Sequence, residues 1–336
     1  MSNRVTIIGL GCVGCSIGLA LRQREQTLEV VGFDMDPARV REATRLGAIA
    51  RSTWGLPEAC QGAGLIILAV GQHEVRETLE MIGPHLEEGC IVTDTAPLKV
   101  PVIDWARQYL PPSARFVPGV PLPGPAAGDQ PLPAGPEGAR ADLFTDGLYC
   151  VTPAADTDPQ ALNVLMGLAR TLGARTIFVD PLEHDGLQAG VVDLPALIAV
   201  ALLRATVDSP GWLDMRKVAG PDFLTMTGPA TGDASLLATA VLNRENLVRR
   251  LDMFMDALYL IRQQLMDNDA SGLEEAYTQA ATARERWQQE RRKGEWGERP
   301  DMSEVPGLGE HIARLLVGGL ADRFRPRRRE GQSPRE

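Results

Sequence analysis

The chain has few residues of the kinds that build metal and disulfide sites. Its 336 residues include only five cysteines and four histidines, and the histidines are far apart in the sequence. Cys12 and Cys15 form a C-x-x-C pair, but both belong to a glycine-rich loop that accounts for their spacing. An odd number of scattered cysteines favours a reducing compartment over a disulfide framework. We therefore expect no metal site and a cytoplasmic location.

Basic residues are also outnumbered by acidic ones, 34 to 44, which limits the kinds of molecule that the chain can bind. The formal net charge is -10, which argues against a broad surface for nucleic acid. The N-terminus enters a strand directly, without the features of a signal peptide. The most apolar stretch, residues 186–207, contains Asp193 and Pro195, and an ionised residue near mid-bilayer costs about 2.5–3.5 kcal/mol. We expect no membrane partner, and place this stretch in a helix buried in the core or between two subunits.

The first half of the chain alternates short apolar runs with amphipathic stretches. Apolar runs rich in Val and Ile predict strands at residues 4–11, 27–34, 64–70 and 89–94. Helix-like segments separate them, so the pattern predicts parallel βαβ units in a doubly wound α/β sheet. Three later runs are expected to extend the same sheet, at residues 114–119, 147–154 and 174–180.

The second half of the chain reads as helical. Strand patterns stop after Asp180, and residues 234–267 have the periodicity of one long helix. We predict a dinucleotide-binding domain over residues 1–180, a helical substrate and dimerisation domain over 181–298, and a partly disordered extension over 299–336. The stretch 121–142 is dense in proline and glycine, which predicts a long surface loop with a lid as one possible role.

The strongest motif lies where the first strand ends. Residues 7–14 read IIGLGCVG, with Gly9, Gly11 and Gly14 in the spacing G-x-G-x-x-G, and Asp34 ends the next strand 20 residues after Gly14. In this strand–turn–helix context the motif is the Rossmann dinucleotide fingerprint. The glycines permit the tight turn, the approach of a pyrophosphate and close helix–strand packing, and the helix N-terminus favours an anion.

The same motif predicts which cofactor the chain binds. A carboxylate at Asp34 accepts hydrogen bonds from the adenine ribose and repels a 2′-phosphate, while Arg39 and Arg41 are expected on the following helix rather than next to Asp34. NAD is therefore favoured over NADP. The predicted cofactor contacts are the glycine loop and the ends of three strands, namely Gly9, Leu10, Gly11, Cys12, Val13, Gly14, Asp34, Val70 and Asp94.

The order of elements and several later motifs resemble the prephenate and arogenate dehydrogenase family of tyrosine biosynthesis. The similar segments cover most of residues 4–290 and include IIGLGCVGCSIGLAL, TDTAPLK, GVPLPG, EHD, DLPALIA and the Asn243 of LNRENL. The resemblance implies a Rossmann domain followed by a helical domain that forms a homodimer. It also implies hydride transfer from a substrate ring to a nicotinamide, with loss of carbon dioxide.

This sequence departs from the family where the resemblance assigns catalysis. Asp94 and Lys99 match the motif TDTAPLK, but Pro97 replaces a serine that bonds the catalytic histidine. In GVPLPG, Val120 replaces that histidine itself. Valine and proline cannot transfer a proton, and general acid–base catalysis is typically worth about 10²–10⁴-fold. The catalytic residues therefore remain unassigned.

Two substrate-binding motifs differ as well. Residues 192–196 read VDLPA where the family has substrate-contacting histidines, so that Asp193 adds negative charge where a dicarboxylate would bind. Gly228, after Thr227, stands where the family has an arginine that holds a substrate carboxylate. Together these departures indicate a changed or abandoned activity.

Two functions stay open on the sequence alone. One is an NAD-dependent oxidoreductase active on prephenate or another small substrate, and the other is a non-catalytic dinucleotide-binding protein. Lys99 and His184 are the candidate substrate contacts, although Lys99 could also cap local structure and His184 could simply begin a helix. His73 reads as a solvated loop residue.

Overall fold

The apolar runs near the N-terminus pair as a parallel sheet. The computed structural model describes residues 3–128 and 131–294. The strands of this first sheet are β1 (Arg4–Ile8), β2 (Glu29–Phe33), β3 (Arg51–Ser52), β4 (Ala63–Leu68), β5 (Ile91–Asp94) and β6 (Arg115–Phe116). They lie in the order β3-β2-β1-β4-β5-β6 and every neighbouring pair is parallel. The predicted doubly wound sheet is confirmed.

A second, smaller sheet corrects one prediction. Its strands are β7 (Gly119–Leu122), β8 (Leu148–Val151) and β9 (Arg175–Phe178), with β7 antiparallel and β9 parallel to β8. The runs at 147–154 and 174–180 therefore do not extend the first sheet, and GVPL is itself a strand. Past Pro118 the backbone bonds pass to β8, since Thr152 N donates to Pro118 O at 3.1 Å.

Thirteen α-helices accompany the sheets in the described residues. They are α1 (Cys12–Arg24), α2 (Pro37–Leu46), α3 (Leu56–Cys60), α4 (Gln72–Ile82), α5 (Val100–Tyr109), α6 (Pro159–Leu172), α7 (Pro181–Gln188), α8 (Leu194–Val207), α9 (Trp212–Val218), α10 (Pro221–Thr227), α11 (Ala234–Leu242), α12 (Arg244–Met266) and α13 (Ala270–Lys293).

Helix starts follow a repeated local signal. The helices α2, α6 and α7 each begin at an Asp-Pro pair, in which the aspartate accepts a hydrogen bond from a first-turn N–H and proline occupies the first helical position. Gly47 and Gly173 end α2 and α6 in the left-handed conformation.

Apolar side chains cover both faces of the first sheet. Along β4, Leu65 and Ile67 face a core cluster shared with α1, α6 and β8, whereas Ile66 and Leu68 face a second cluster with α4 and α5. All four are fully buried. A parallel sheet buried on both faces has near-continuous apolar strands of this kind, so the sequence pattern and the packing agree.

The region after β9 is helical, as predicted, but its details differ. The stretch 234–267 is not one helix, because it breaks at Asn243 between α11 and α12. The helices α7 and α8 are joined by a π-helical turn, Ala189–Asp193. The last four residues of the predicted helical domain, 295–298, and the whole predicted C-terminal extension, 299–336, lie outside the described part of the chain.

The most apolar helical stretch is not buried within its own chain. Pro181–Val207 is long and apolar enough to cross a membrane by length and composition, and its most apolar 18-residue window has a mean hydropathy of 1.9. Only 17% of its most apolar window is buried. The expectation that it lies in the core of this chain is wrong, while its burial between two subunits and the absence of a membrane partner stay predictions.

A fully buried lysine joins the two sheets and the helical region. Lys99 Nζ donates to Asp94 Oδ2 at 2.7 Å and to Gly119 O at 2.8 Å, which connects β5 to β7. The backbone N–H groups of Lys99 and Val100 donate to the two carboxylate oxygens of Asp185 in α7, at 2.7 and 3.0 Å. Burial raises the pKa of the Asp94 carboxyl, and the Lys99 ammonium acts in the opposite direction.

Replacing this lysine with methionine should destabilise the protein. The Lys99→Met variant leaves Asp94 buried without its cation, and breaking a buried ion pair in this way costs about 3–5 kcal/mol. Urea unfolding of the variant against the unmutated chain measures the loss. The Asp94→Asn/Lys99→Met double variant is the control and should recover part of the stability; a single variant as stable as the parent would contradict this role.

Candidate cofactor site

A cavity of about 460 Å³ opens at the carboxyl edge of the first sheet. Strand ends supply its floor, and this edge is where ligands bind in doubly wound sheets. Helix α4, the start of α11 and the proline-rich loop supply its walls. The predicted cofactor contacts that line it are Gly9, Gly11, Cys12, Val13, Asp34 and Val70.

The glycine loop owes its shape to the absence of side chains. Gly9 has a φ of 97°, and a Cβ there would lie 2.5 Å from Ala69 O. A Cβ on Gly14 would lie 2.0 Å from Gly9 O, so only glycine allows α1 to pack this closely on the turn. Gly11 caps α1 without a side-chain hydrogen bond. The first-turn N–H groups are therefore available to an anion, which is the arrangement that a pyrophosphate needs.

The proline-rich loop runs over the glycine loop. Leu132, Pro133 and Ala134 line the cavity, and a Cβ on Gly11 would lie 2.7 Å from Ala134 O. Arg140 N donates to Ser16 Oγ at 3.1 Å, which ties the loop to α1. The predicted long loop thus forms one wall of the site, and its role as a lid remains a prediction.

Asp34 lines the cavity directly after the end of β2. Its Oδ2 accepts a hydrogen bond from Leu10 N at 2.7 Å and its Oδ1 accepts one from Asp36 N at 2.8 Å. Arg39 Nη1 lies 3.8 Å from Asp34 Oδ2. Arg39 lies on the following helix, as expected, but the expectation that it is not next to Asp34 is wrong, because the first turn of α2 directs this side chain back towards the end of β2.

The other predicted site residues lie behind the cavity in the described structure. Leu10 and Gly14 support the glycine loop, while Asp94 and Lys99 are fully buried and bonded to each other. His184 is buried too, with Nδ1 3.4 Å from Asp185 Oδ1. In this conformation Asp94 does not reach the cofactor cavity. Lys99 and His184 are likewise not among its lining residues.

Residues after the ends of β4 and β5 line the cavity although the sequence analysis did not assign them to it. His73 lies in α4 rather than in a loop and lines the cavity together with Thr95 and Ser235. Gln72 N donates to Ser235 Oγ at 2.9 Å, which fixes α11 against α4. The sequence feature that could have placed His73 at the cavity is the predicted strand end at Val70, because residues that follow a parallel strand reach the same edge of the sheet.

The two departures in the motifs that the resemblance assigns to catalysis, Pro97 and Val120, differ in exposure to the cavity. Pro97 lines it, next to Thr95. Val120 is half-buried in β7, opposite Cys150 of β8, and is not among the described lining residues. Neither side chain can donate or accept a proton.

A polar cluster lies beneath the helical side of the site. Asn243 Nδ2 donates to Asp185 O at 2.8 Å and to Asp193 Oδ2 at 3.3 Å. Burial raises the pKa of the Asp193 carboxyl, and the Asn243 hydrogen bond opposes this shift. Ionisation of Asp193 is therefore less favourable here than in water, and the Asn243 that bonds to it separates α11 from α12.

Comparisons with known proteins find similar dehydrogenases. The model of the family described as "Prephenate dehydrogenase, nucleotide-binding domain" matches residues 17–178. The chain is 26% identical to prephenate dehydrogenase of Bacillus subtilis over 276 residues, which are 81% of this chain and 73% of the relative. It is also 26% identical to cyclohexadienyl dehydrogenase of Zymomonas mobilis over 285 residues, 84% of this chain and 95% of that one.

A solved structure gives the same fold. Prephenate dehydrogenase from Aquifex aeolicus, in complex with hydroxyphenyl propionate and NAD+, superposes with a TM-score of 0.76 at 23% identity, covering 85% of this chain and 98% of that one. At this identity the likeness supports the fold alone. Together with the matching nucleotide-binding domain and the curated relatives, it makes the chain similar to prephenate and cyclohexadienyl dehydrogenases.

Proposed function

We propose that the chain is an NAD-dependent oxidoreductase of the prephenate dehydrogenase type, which transfers a hydride from a small cyclic or hydroxy-acid substrate to the nicotinamide. The observation that carries this proposal is the meeting of the glycine loop and Asp34 in one cavity at the carboxyl edge of the sheet. Relatives named prephenate and cyclohexadienyl dehydrogenases support the reaction class and a place in tyrosine biosynthesis.

The residues of the cavity fit a dinucleotide. Gly11 and the first turn of α1 would hold the pyrophosphate, and Asp34 would accept hydrogen bonds from the adenine ribose. Val13 and Val70 offer apolar contact along the cavity. The bound cofactor would supply the hydride acceptor, while the chain binds and orients it and covers it with the proline-rich loop.

The first test concerns Asp34. NAD should bind more tightly than NADP, because the carboxylate repels a 2′-phosphate. In the Asp34→Asn variant, which removes the charge but retains a side-chain acceptor, this preference should narrow by about tenfold, the effect of 1.4 kcal/mol in binding. Isothermal titration calorimetry with both dinucleotides measures the ratio. Equal affinities in the unmutated protein would rule out the assignment of Asp34.

The substituted catalytic positions limit what the site does with prephenate. Without a histidine at Val120 and a serine at Pro97, the acid–base step implied by the family resemblance has no group to perform it at those positions. We infer that prephenate is turned over slowly or not at all, and that the natural substrate differs from it. NAD binding without turnover of any small hydroxy acid would instead make the chain a non-catalytic dinucleotide-binding protein.

Restoring the missing groups tests this inference. The Val120→His variant alone should help little, because Pro97 cannot orient the imidazole and Gly228 cannot hold a carboxylate. The triple variant Val120→His/Pro97→Ser/Gly228→Arg should gain more than the sum of the single changes, since catalytic groups that act as a unit are strongly non-additive. Reduction of NAD in the presence of prephenate is the assay. Turnover of prephenate at about 1–10³ s⁻¹ by the unmutated chain would contradict the inference that prephenate is a poor substrate.

We also propose a cytoplasmic homodimer assembled through the helical region. Large apolar side chains lie exposed there, including Leu237, Val241 and Leu260. A cluster of large apolar side chains exposed to water is characteristic of a protein–protein interface. The net charge of -10 supports small-molecule rather than nucleic-acid partners.

Sedimentation equilibrium tests the dimer. The expected mass is twice the 36.3 kDa of one chain, because a second copy would cover the apolar faces of α8, α11 and α12. A Leu237→Glu/Leu260→Glu variant should shift the equilibrium towards monomer. A single-chain mass at micromolar concentration in the unmutated protein would refute the proposal.

A further inference from the structure

Arg39 occupies a position in the site that the sequence pattern did not reveal. It lies in the first turn of α2, lines the cavity together with Met35, and places Nη1 3.8 Å from Asp34 Oδ2. Its side chain is 40% exposed, so the guanidinium is accessible from the cavity. Arg39 therefore lies at the end of the cavity where the adenine ribose would bind.

We propose that Arg39 determines cofactor specificity and lets the site accept a 2′-phosphate, so that the chain binds NADP as well as NAD. This inference rests on the proposed function, because it assigns a role to one residue of the same dinucleotide site. Asp34 keeps NAD the tighter ligand, and Arg39 reduces the discrimination that Asp34 alone would impose.

The electrostatics of the pair support this role. A carboxylate alone repels a phosphate, but a cation a few ångströms away offsets most of that repulsion at close range. The Asp34 oxygens are also already engaged by the backbone N–H groups of Leu10 and Asp36. The net field at this end of the cavity is therefore weaker than an isolated aspartate would produce.

The guanidinium also has donors to spare. Among the described residues, Arg39 makes this one ion pair, at 3.8 Å, and no hydrogen bond. A guanidinium carries five N–H donors in a fork that matches phosphate oxygens bidentately. It can therefore bind a phosphate without giving up a structural contact elsewhere in the described chain.

The surrounding charges make Arg39 the group on which phosphate binding would depend. Glu74 and Glu77 of α4 line the same cavity, and Asp36 lies exposed at the start of α2. These carboxylates disfavour a phosphate. Arg39 is the one lysine or arginine among the lining residues that the structure describes. Arg41, two residues further along α2, is exposed and does not line the cavity.

The test is a comparison of two arginine variants with both dinucleotides. In calorimetric titrations, Arg39→Ala should weaken NADP binding by about tenfold or more, because the bidentate phosphate contact is lost. It should weaken NAD binding by a clearly smaller factor than NADP binding, since NAD has no 2′-phosphate. Arg41→Ala, the matched control, should change neither affinity. Adenosine 2′,5′-bisphosphate and AMP contain only the adenosine part of the dinucleotides, with and without the 2′-phosphate. Titrated separately, the bisphosphate should lose more affinity than AMP in the Arg39→Ala variant.

The possible outcomes separate this inference from the proposed function. If the unmutated chain binds NAD but not NADP, or if Arg39→Ala weakens both dinucleotides equally, the role of Arg39 is overturned and the oxidoreductase proposal stands. If the unmutated chain binds neither dinucleotide, both are overturned. A selective loss of NADP and of the bisphosphate in Arg39→Ala establishes the role.

Discussion

The buried contacts of Lys99 hold the parts of this molecule that build the site. One ammonium bridges β5 and β7 through Asp94 and Gly119 O, and the adjoining backbone N–H groups fix Asp185 of the helical region. A charge enclosed in this way is tolerated only when it is fully paired. The first sheet, the second sheet and the helices that follow are therefore tied together at one buried cluster, in addition to the apolar core that the first sheet shares with β8.

The glycine loop has the form of a dinucleotide-binding turn, and the chain departs from the family motifs at two positions that the resemblance assigns to catalysis. Gly9, Gly11 and Gly14 keep the close backbone packing that a dinucleotide requires, whereas Pro97 and Val120 replace groups that the family resemblance assigns to proton transfer. Buried Asp193, held by Asn243, stands where the resemblance places a histidine. This combination of a retained cofactor loop and replaced acid–base positions is the basis for the proposed change of substrate.

Local patterns predicted much of this structure. The glycine loop and the strand end at Asp34 depend on short-range sterics and hydrogen bonds, which the sequence displays directly. The second sheet depends instead on which distant backbone groups pair after Pro118, and Asn243, where α11 ends, contacts Asp185 and Asp193, which are distant in the sequence. The approach of Arg39 to Asp34 depends on the direction of one long side chain. No sequence period carries such tertiary information.

The central claim is that a dinucleotide binds along the glycine loop with its adenine ribose at Asp34. Crystals grown with NAD test it most directly. We expect density for the pyrophosphate beside Gly11 at the start of α1, and for the adenine ribose within hydrogen-bonding distance of Asp34, under the loop that contains Ala134. Density for NAD elsewhere on the chain, or a glycine loop without ligand at saturating NAD, would contradict it.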